Sequence, residues 1–297
     1  MKLNQIQIRD PFGLVHDDHY YLYGSTDPNI WRGPGIGFDV YPCVESGVFT
    51  DFEAGVAAFR PSDGFWSHTN FWAPEVYYHA HSFIMFATFK PDVGRRGTAV
   101  LQADSPLGPF VPLSDGPVTP ANWECLDGTL FVDKTGDPWM VFCHEWQQVG
   151  DGEICAMRLA DDLRTAKGEP QLMFTASQAP WAAPLANRPP GSYVTDGPNI
   201  RRLGSGALAM LWSSFDAAGN YCLGVATSTD GDLLGPWQQA DQPLYGGDAG
   251  HGMIFESLDG RLFLAVHSPN DTPNERAKFI GLTDIDGALA LTGEVIQ

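Results

Sequence analysis

The sequence predicts an all-β fold, a five-bladed β-propeller with four antiparallel strands per blade, forming one domain over residues 1–297. Three observations predict it. Five short apolar segments repeat one plan, and their heads lie 63, 54, 69 and 55 residues apart. Each is followed, after a polar turn, by a second apolar strand. No stretch carries the period of an amphipathic helix of three turns. A repeat at this scale marks a radial or solenoid array, in which no unit buries its apolar face alone. A β-sandwich would also use such strands, but it gives no reason for a recurring head.

The units follow in order. The first opens at Asp10-Pro-Phe-Gly-Leu-Val, turns at Asp17-Asp18 and returns through Tyr20–Ser25. The second opens at Ala73-Pro-Glu-Val-Tyr-Tyr and returns through Phe83–Thr88. The third opens at Asp127-Gly-Thr-Leu-Phe-Val, turns over Lys134–Pro138 and returns through Trp139–Glu145. The fourth runs from Asp196-Gly-Pro-Asn-Ile-Arg across Gly204–Gly206 to Leu208–Ser214. The fifth runs from His251-Gly-Met-Ile-Phe-Glu across Asp259-Gly260 to Leu262–Ser268. Gly, Pro and Asp in these turns are the ordinary hairpin punctuation. Third strands fit at 98–103, 153–158 and 221–226, and the near copies Ser105–Phe110 and Asp232–Trp237 lead into outermost fourth strands.

Composition narrows the function. Asp and Glu number 36 against 17 Lys and Arg, for a net charge of −19. That balance argues against nucleic acid and anionic membranes as partners, while a neutral sugar is not repelled. No run of eighteen apolar residues could span a bilayer. The first ten residues lack the apolar core of a signal peptide, so a cytoplasmic location is expected. The cysteines, Cys43, Cys125, Cys143, Cys155 and Cys222, are odd in number and lack CxxC spacing, which suits buried free thiols in a reducing compartment. Zinc spacing, a phosphate-binding glycine loop and a serine-nucleophile elbow are all missing.

In a propeller the heads converge on one central mouth. Asp10, Asp127 and Asp196 are expected at equivalent places there, and Glu145, at the end of a returning strand, approaches the same end. Carboxyls crowded in a low-dielectric rim cannot all ionise freely, which separates an acid from a base. Glycoside hydrolysis needs such a pair. Phe12, Phe71, Trp72, Trp146 and Trp212 are candidate walls for a sugar ring.

The ordered set Arg9-Asp10-Pro11, Phe71-Trp72-Ala73-Pro74-Glu75-Val76, Leu126-Asp127-Gly128, Asp196-Gly197-Pro198 and Gly250-His251-Gly252 resembles glycoside hydrolase family 43, from about residue 8 to the end. The resemblance implies a five-bladed propeller that cleaves arabinofuranosides, xylosides or related plant linkages with inversion. It implies Asp10 as the general base, Asp127 as the carboxylate that holds the acid and adjusts its pKa, and Trp72 as a sugar wall. It places His251 over the channel, where some members bind calcium nearby; no organic or redox cofactor is implied. Oligosaccharide is the implied substrate.

One position departs from the family. A glutamate usually precedes Gly-Pro in the fourth blade as proton donor, and here it is Asp196. One methylene fewer retracts the carboxyl by about 1.5 Å, and about 1 Å of misplacement can cost on the order of a hundredfold in rate. Three readings follow: a shifted backbone lets Asp196 donate, Glu145 takes the role, or the site binds sugar without cleaving it. Arg276 is a further candidate for pairing with a rim carboxylate or a sugar hydroxyl. Glu75 is expected between blades, and His144 and His267 are expected as hydrogen-bonded rim or core residues. Loops Trp31–Gly37, Thr88–Gly97 and Ala176–Ser192 are expected to set the pocket.

Overall fold

The structure is a computed structural model and describes residues 1–45 and 49–297. Among the described residues, five four-stranded antiparallel sheets follow one another along the chain. The first blade holds β1 (Arg9–His16), β2 (His19–Ser25), β3 (Phe38–Pro42) and β4 (Val56–Phe59). The second holds β5 (Ser67–His79), β6 (Ser82–Pro91), β7 (Gly97–Ala103) and β8 (Val111–Pro112). The third holds β9 (Cys125–Val132), β10 (Pro138–His144), β11 (Glu153–Leu159) and β12 (Ala166–Thr175). The fourth holds β13 (Asp196–Arg202), β14 (Leu208–Phe215), β15 (Tyr221–Ser228) and β16 (Gln238–Gln239). The fifth holds β17 (Gly250–Glu256), β18 (Leu262–Ser268), β19 (Arg276–Ile285) and β20 (Ala288–Ile296). Within each blade the strands pair in chain order. The innermost strands touch in a closed circuit, β1 to β5, β5 to β9, β9 to β13, β13 to β17 and β17 back to β1. This is the five-bladed propeller the repeat predicts.

The core lies between blades. Phe38, Phe59, Phe71 and Phe89 are almost wholly buried where the first two blades meet, and the rings of Phe71 and Phe89 stand 4.9 Å apart, edge to face. Between blades 3 and 4 the filling changes to Phe174, Trp181 and Trp212. Each such side chain removes enough apolar surface to stabilise the fold by roughly 1.5–3 kcal/mol.

Circle closure needs a device, because the fifth blade is built entirely from the C-terminal strands and takes none from the N-terminus. The segment before β1 supplies it. Gln7 bridges to Arg276, the Ile8 N–H donates to the Glu275 carbonyl (3.4 Å), and Arg276 Nε donates to the Asn4 carbonyl (3.1 Å). Gly13 lets β1 lie against blade 5, since an added Cβ would stand 3.2 Å from the Phe255 ring.

Candidate active site

The same irregularity opens every blade. Arg9 pairs with Ser25, but the next paired residue, Phe12, meets Tyr23, so three steps on the inner strand match two on its neighbour. Trp72/Glu75 against Thr88/Phe86, Leu126/Thr129 against Cys143/Val141, Asp196/Asn199 against Ser213/Leu211 and Gly250/Met253 against His267/Ala265 repeat it. Such a bulge re-aims side chains at the end of a strand. The residue just inside it has left-handed backbone in all five blades: Asp10 (φ 51°), Ala73 (46°), Asp127 (55°), Gly197 (52°) and His251 (49°). A non-glycine residue held there costs on the order of 1–3 kcal/mol, a strain that clusters at working sites.

This register corrects one expectation. Asp10, Asp127 and Asp196 do not occupy equivalent places. Asp10 and Asp127 are left-handed bulge residues; Asp196 stands one residue earlier, in the position of Arg9, Trp72, Leu126 and Gly250. The fourth bulge residue is Gly197, whose Cβ, were there one, would sit 2.8 Å from the His251 ring. Proline marks the register: it follows the left-handed residue in Asp10-Pro11, Ala73-Pro74 and Gly197-Pro198, and glycine takes that place in the other two blades.

The offset still delivers all three carboxylates to one place. Asp10, Asp127, Asp196 and Glu145 line a single cavity of about 500 Å³ at the mouth of the channel, with Trp72 and His251. The three loops expected at the rim reach it through Trp31, Arg96, Leu185 and Arg188. Arg276 does not. Its guanidinium is spent on the carbonyls of Asn4, Pro273 and Glu275, where it closes the ring of blades.

Asp10 is buried among donors. Ser25 Oγ donates to its Oδ2 (2.6 Å), His251 Nδ1 stands 3.2 Å from its Oδ1, and its own N–H donates to His267 Nδ1 (3.2 Å). Burial alone would raise its pKa, but His251, Arg9, His267 and the Ser25 hydroxyl together hold it below the usual carboxylate value. Burial lowers the pKa of both histidines, that of His267 to about 3, so both rings are neutral near pH 7.

Asp196 has the opposite surroundings. It is half-buried, and burial first, then the charges of Glu145 and Asp10, push its pKa up to about 7 against the hydrogen bond from Tyr221 Oη (3.0 Å) and the charge of Arg9. Asp127 also titrates high, through burial and the carboxylates of Asp196 and Asp10, although the Gly197 N–H donates to its Oδ2 (3.0 Å). Asp127 and Asp196 therefore lose their protons as a pair.

Glu145 is engaged on both oxygens. Arg96 donates to Oε2 (2.7 Å) and Gln147 to Oε1 (2.6 Å). The Arg96 guanidinium also lies over the Trp72 ring (4.5 Å), and Trp31 meets Trp72 edge to face at 5.3 Å. One face of Trp72 is thus covered, and Trp31, 53 % exposed, is the aromatic that projects at the mouth. Arg9, stacked on Trp31 at 5.1 Å and bonded to Asn270 (2.6 Å), completes that wall.

Glu75 and His144 take the structural places expected of them, outside the cavity. Glu75 is buried between blades 2 and 3, where Tyr77 Oη donates to it and also meets Thr129. Burial raises its pKa to about 7. His144 is fixed by Glu153 (2.7 Å) and stacked on Trp123. Sequence reasoning missed Arg9, Trp31, Arg96, Gln147 and Tyr221 as cavity residues. Arg9 had a signal in its place beside Asp10, and Trp31 and Arg96 in loops expected at the rim; Gln147 arrives from the short helix Trp146–Val149 and Tyr221 from the start of a third strand.

Calcium prefers six to eight oxygen ligands. Among the described residues no three of His, Cys, Asp and Glu are grouped to hold a metal, and His251 aims its Nδ1 at two carboxylates already bonded by Ser25 and Gly197.

Comparison with known proteins meets this geometry at one point. The family described as glycosyl hydrolases family 43 matches residues 4–284. The chain belongs to this family. As a family 43 protein it is a glycoside hydrolase, as the ordered motifs imply. An endo-arabinase from Bacteroides thetaiotaomicron superposes with a TM-score of 0.88 at 40 % identity, over 97 % of this chain and 98 % of that one. A thermostable family-43 glycoside hydrolase (TM-score 0.79, 24 % identity, 98 % and 94 % covered) has the same fold. So does an endo-1,4-beta-xylanase from the same Bacteroides (TM-score 0.75, 24 % identity, 98 % and 96 % covered). No curated protein sequence matches the chain.

Proposed function

We propose that this family 43 hydrolase cleaves α-L-arabinofuranosyl linkages in plant-derived oligosaccharides by single displacement with inversion. The reading rests on one observation above all: two carboxyls in unlike surroundings, Asp10 among hydrogen-bond donors and Asp196 beside like charges, line one sugar-sized cavity. The sugar is suggested by the endo-arabinase that is 40 % identical over nearly the whole chain; xylosidic linkages are the neighbouring choice.

Asp10, ionised and oriented by Ser25 and His251, draws the proton from the attacking water. Asp196 keeps its proton to neutral pH and gives it to the leaving oxygen. Asp127, on the preceding blade, accepts the Gly197 N–H and so holds the backbone next to the acid in place. Glu145 has both oxygens filled by N–H donors, so it has no proton in place to deliver. Its role is the negative field that keeps Asp196 neutral. Trp31 and Trp72 flank the sugar.

Aryl α-L-arabinofuranosides and β-D-xylosides, with linear arabinan, test the sugar. Arabinosides should turn over well ahead of xylosides, and proton NMR of the first product should show inverted anomeric configuration. Retention, or xyloside preference, would contradict the proposal. For the acid, Asp196→Asn should lose most activity on poor leaving groups and little on a nitrophenolate, which hardly needs protonation. Equal losses on both would exclude Asp196. We further propose action inside the cell, because all five cysteines are buried free thiols; activity found outside intact cells would remove that.

A further inference from the structure

The bulge residues are joined across blades by a repeated hydrogen bond. The residue opposite the bulge on each second strand is Ser25, Thr88, Cys143, Ser213 and His267 in blades 1 to 5. At four junctions this side chain accepts the N–H of the next blade's left-handed residue. Ser25 Oγ accepts from Ala73 (2.8 Å), Thr88 Oγ1 from Asp127 (2.9 Å), Ser213 Oγ from His251 (2.8 Å) and His267 Nδ1 from Asp10 (3.2 Å). The fifth junction, blade 3 to blade 4, breaks the pattern. Cys143 stands there, fully buried, and the Gly197 N–H goes instead to Asp127 Oδ2 at 3.0 Å.

The first junction shows what a hydroxyl does in that position. Ser25 accepts from the next blade and donates to its own blade's Asp10, so it bridges the two. A thiol is a weak donor and a weak acceptor. At the third blade the bridge is missing, and carboxylate and amide meet directly. We infer that Cys143 is a positioning residue: by withholding a bridging hydroxyl it leaves Asp127 bonded to Gly197, the neighbour of Asp196, and so sets the Asp127–Asp196 spacing. Its burial keeps the thiol protonated and free of other chemistry.

This rests on the hydrolase reading with Asp127 and Asp196 in the machinery. The test compares Cys143→Ser with Cys143→Ala on linear arabinan and 4-nitrophenyl α-L-arabinofuranoside. A serine should insert itself as Ser25 does and draw Asp127 off Gly197, lowering kcat about tenfold with KM within about twofold. Alanine leaves the amide to Asp127 and should stay within about threefold of wild type. A purely packing role predicts the reverse order, since serine nearly matches cysteine in size and alanine leaves a void. Alanine below serine, or a serine variant with wild-type kcat, would overturn the inference. Should serine prevent folding, Cys143→Thr against Cys143→Val repeats the contrast at equal volume, with only threonine impaired. Wild-type protein with no turnover on any arabinoside or xyloside would instead defeat the hydrolase reading.

Discussion

Asp10 and Asp196 look into one cavity from blades 1 and 4, and each stands in an Asp-Pro or Asp-Gly-Pro setting. Around Asp10 are a serine hydroxyl, two neutral imidazoles and the Arg9 cation; around Asp196 are Glu145 and Asp10, opposed by the Tyr221 hydroxyl and the same Arg9. One carboxyl is held below its usual pKa and the other is raised to about 7. Residue type does not separate them. Nor does bulge register alone, since Asp127 is a bulge residue like Asp10 and still titrates high; the difference comes from what each carboxyl meets, donors and cations at Asp10 and like charges at half-buried Asp196.

Removing either carboxyl breaks the comparison most severely. Asp10→Asn should lower kcat on arabinan by about 10²–10⁴-fold, the usual worth of a positioned base, and should do so for good and poor leaving groups alike. Steady-state kinetics on both substrate types separates it from Asp196→Asn, whose loss depends on the leaving group.

Glu145→Gln should have a smaller effect on rate and a definite sign in pH. With that negative charge gone and Arg96 left unpaired, Asp196 ionises more easily, so the alkaline fall in kcat/KM moves to lower pH. The variant should also unfold more readily, by about 3–5 kcal/mol, because a buried guanidinium loses its partner. Denaturant melts measure that cost.

Tyr221→Phe sharpens the comparison in the opposite sense. Its hydroxyl stabilises ionised Asp196, so deleting it should move the alkaline fall upward by about one pH unit or less. A pair of variants that shift the same limb in opposite directions is hard to explain unless Asp196 owns it. Arg276→Ala should have the least effect on catalysis: unchanged kcat and KM, with stability reduced by about 1 kcal/mol through lost closure bonds. A large rise in KM would return Arg276 to the sugar site.

Much of this was legible in the sequence because propeller symmetry converts spacing along the chain into proximity. The heads Asp10, Asp127 and His251, the returning strands and the near copies leading to β8 and β16 were all visible. The offset of Asp196 was hidden because Asp127-Gly128 and Asp196-Gly197 read alike; only strand pairing shows that the bulge falls on the aspartate in one and on the glycine in the other. Aligning on proline rather than aspartate would have exposed it. Arg276 was misplaced because sequence gives no sign of how a ring closes, and closure is where its donors are used. Arg96 falls within the loop Thr88–Gly97 expected at the rim but nothing local singles it out there, and Tyr221 is brought to the cavity by strand length alone.

The most direct measurement is the pH dependence of kcat/KM for wild-type protein on an unactivated arabino-oligosaccharide. With Asp10 ionised and Asp196 protonated, activity should already be high in the mildly acidic range and should fall as pH rises through about 7, where Asp196 loses its proton. Activity that instead climbs through that region to an alkaline plateau would contradict the division of roles between the two aspartates.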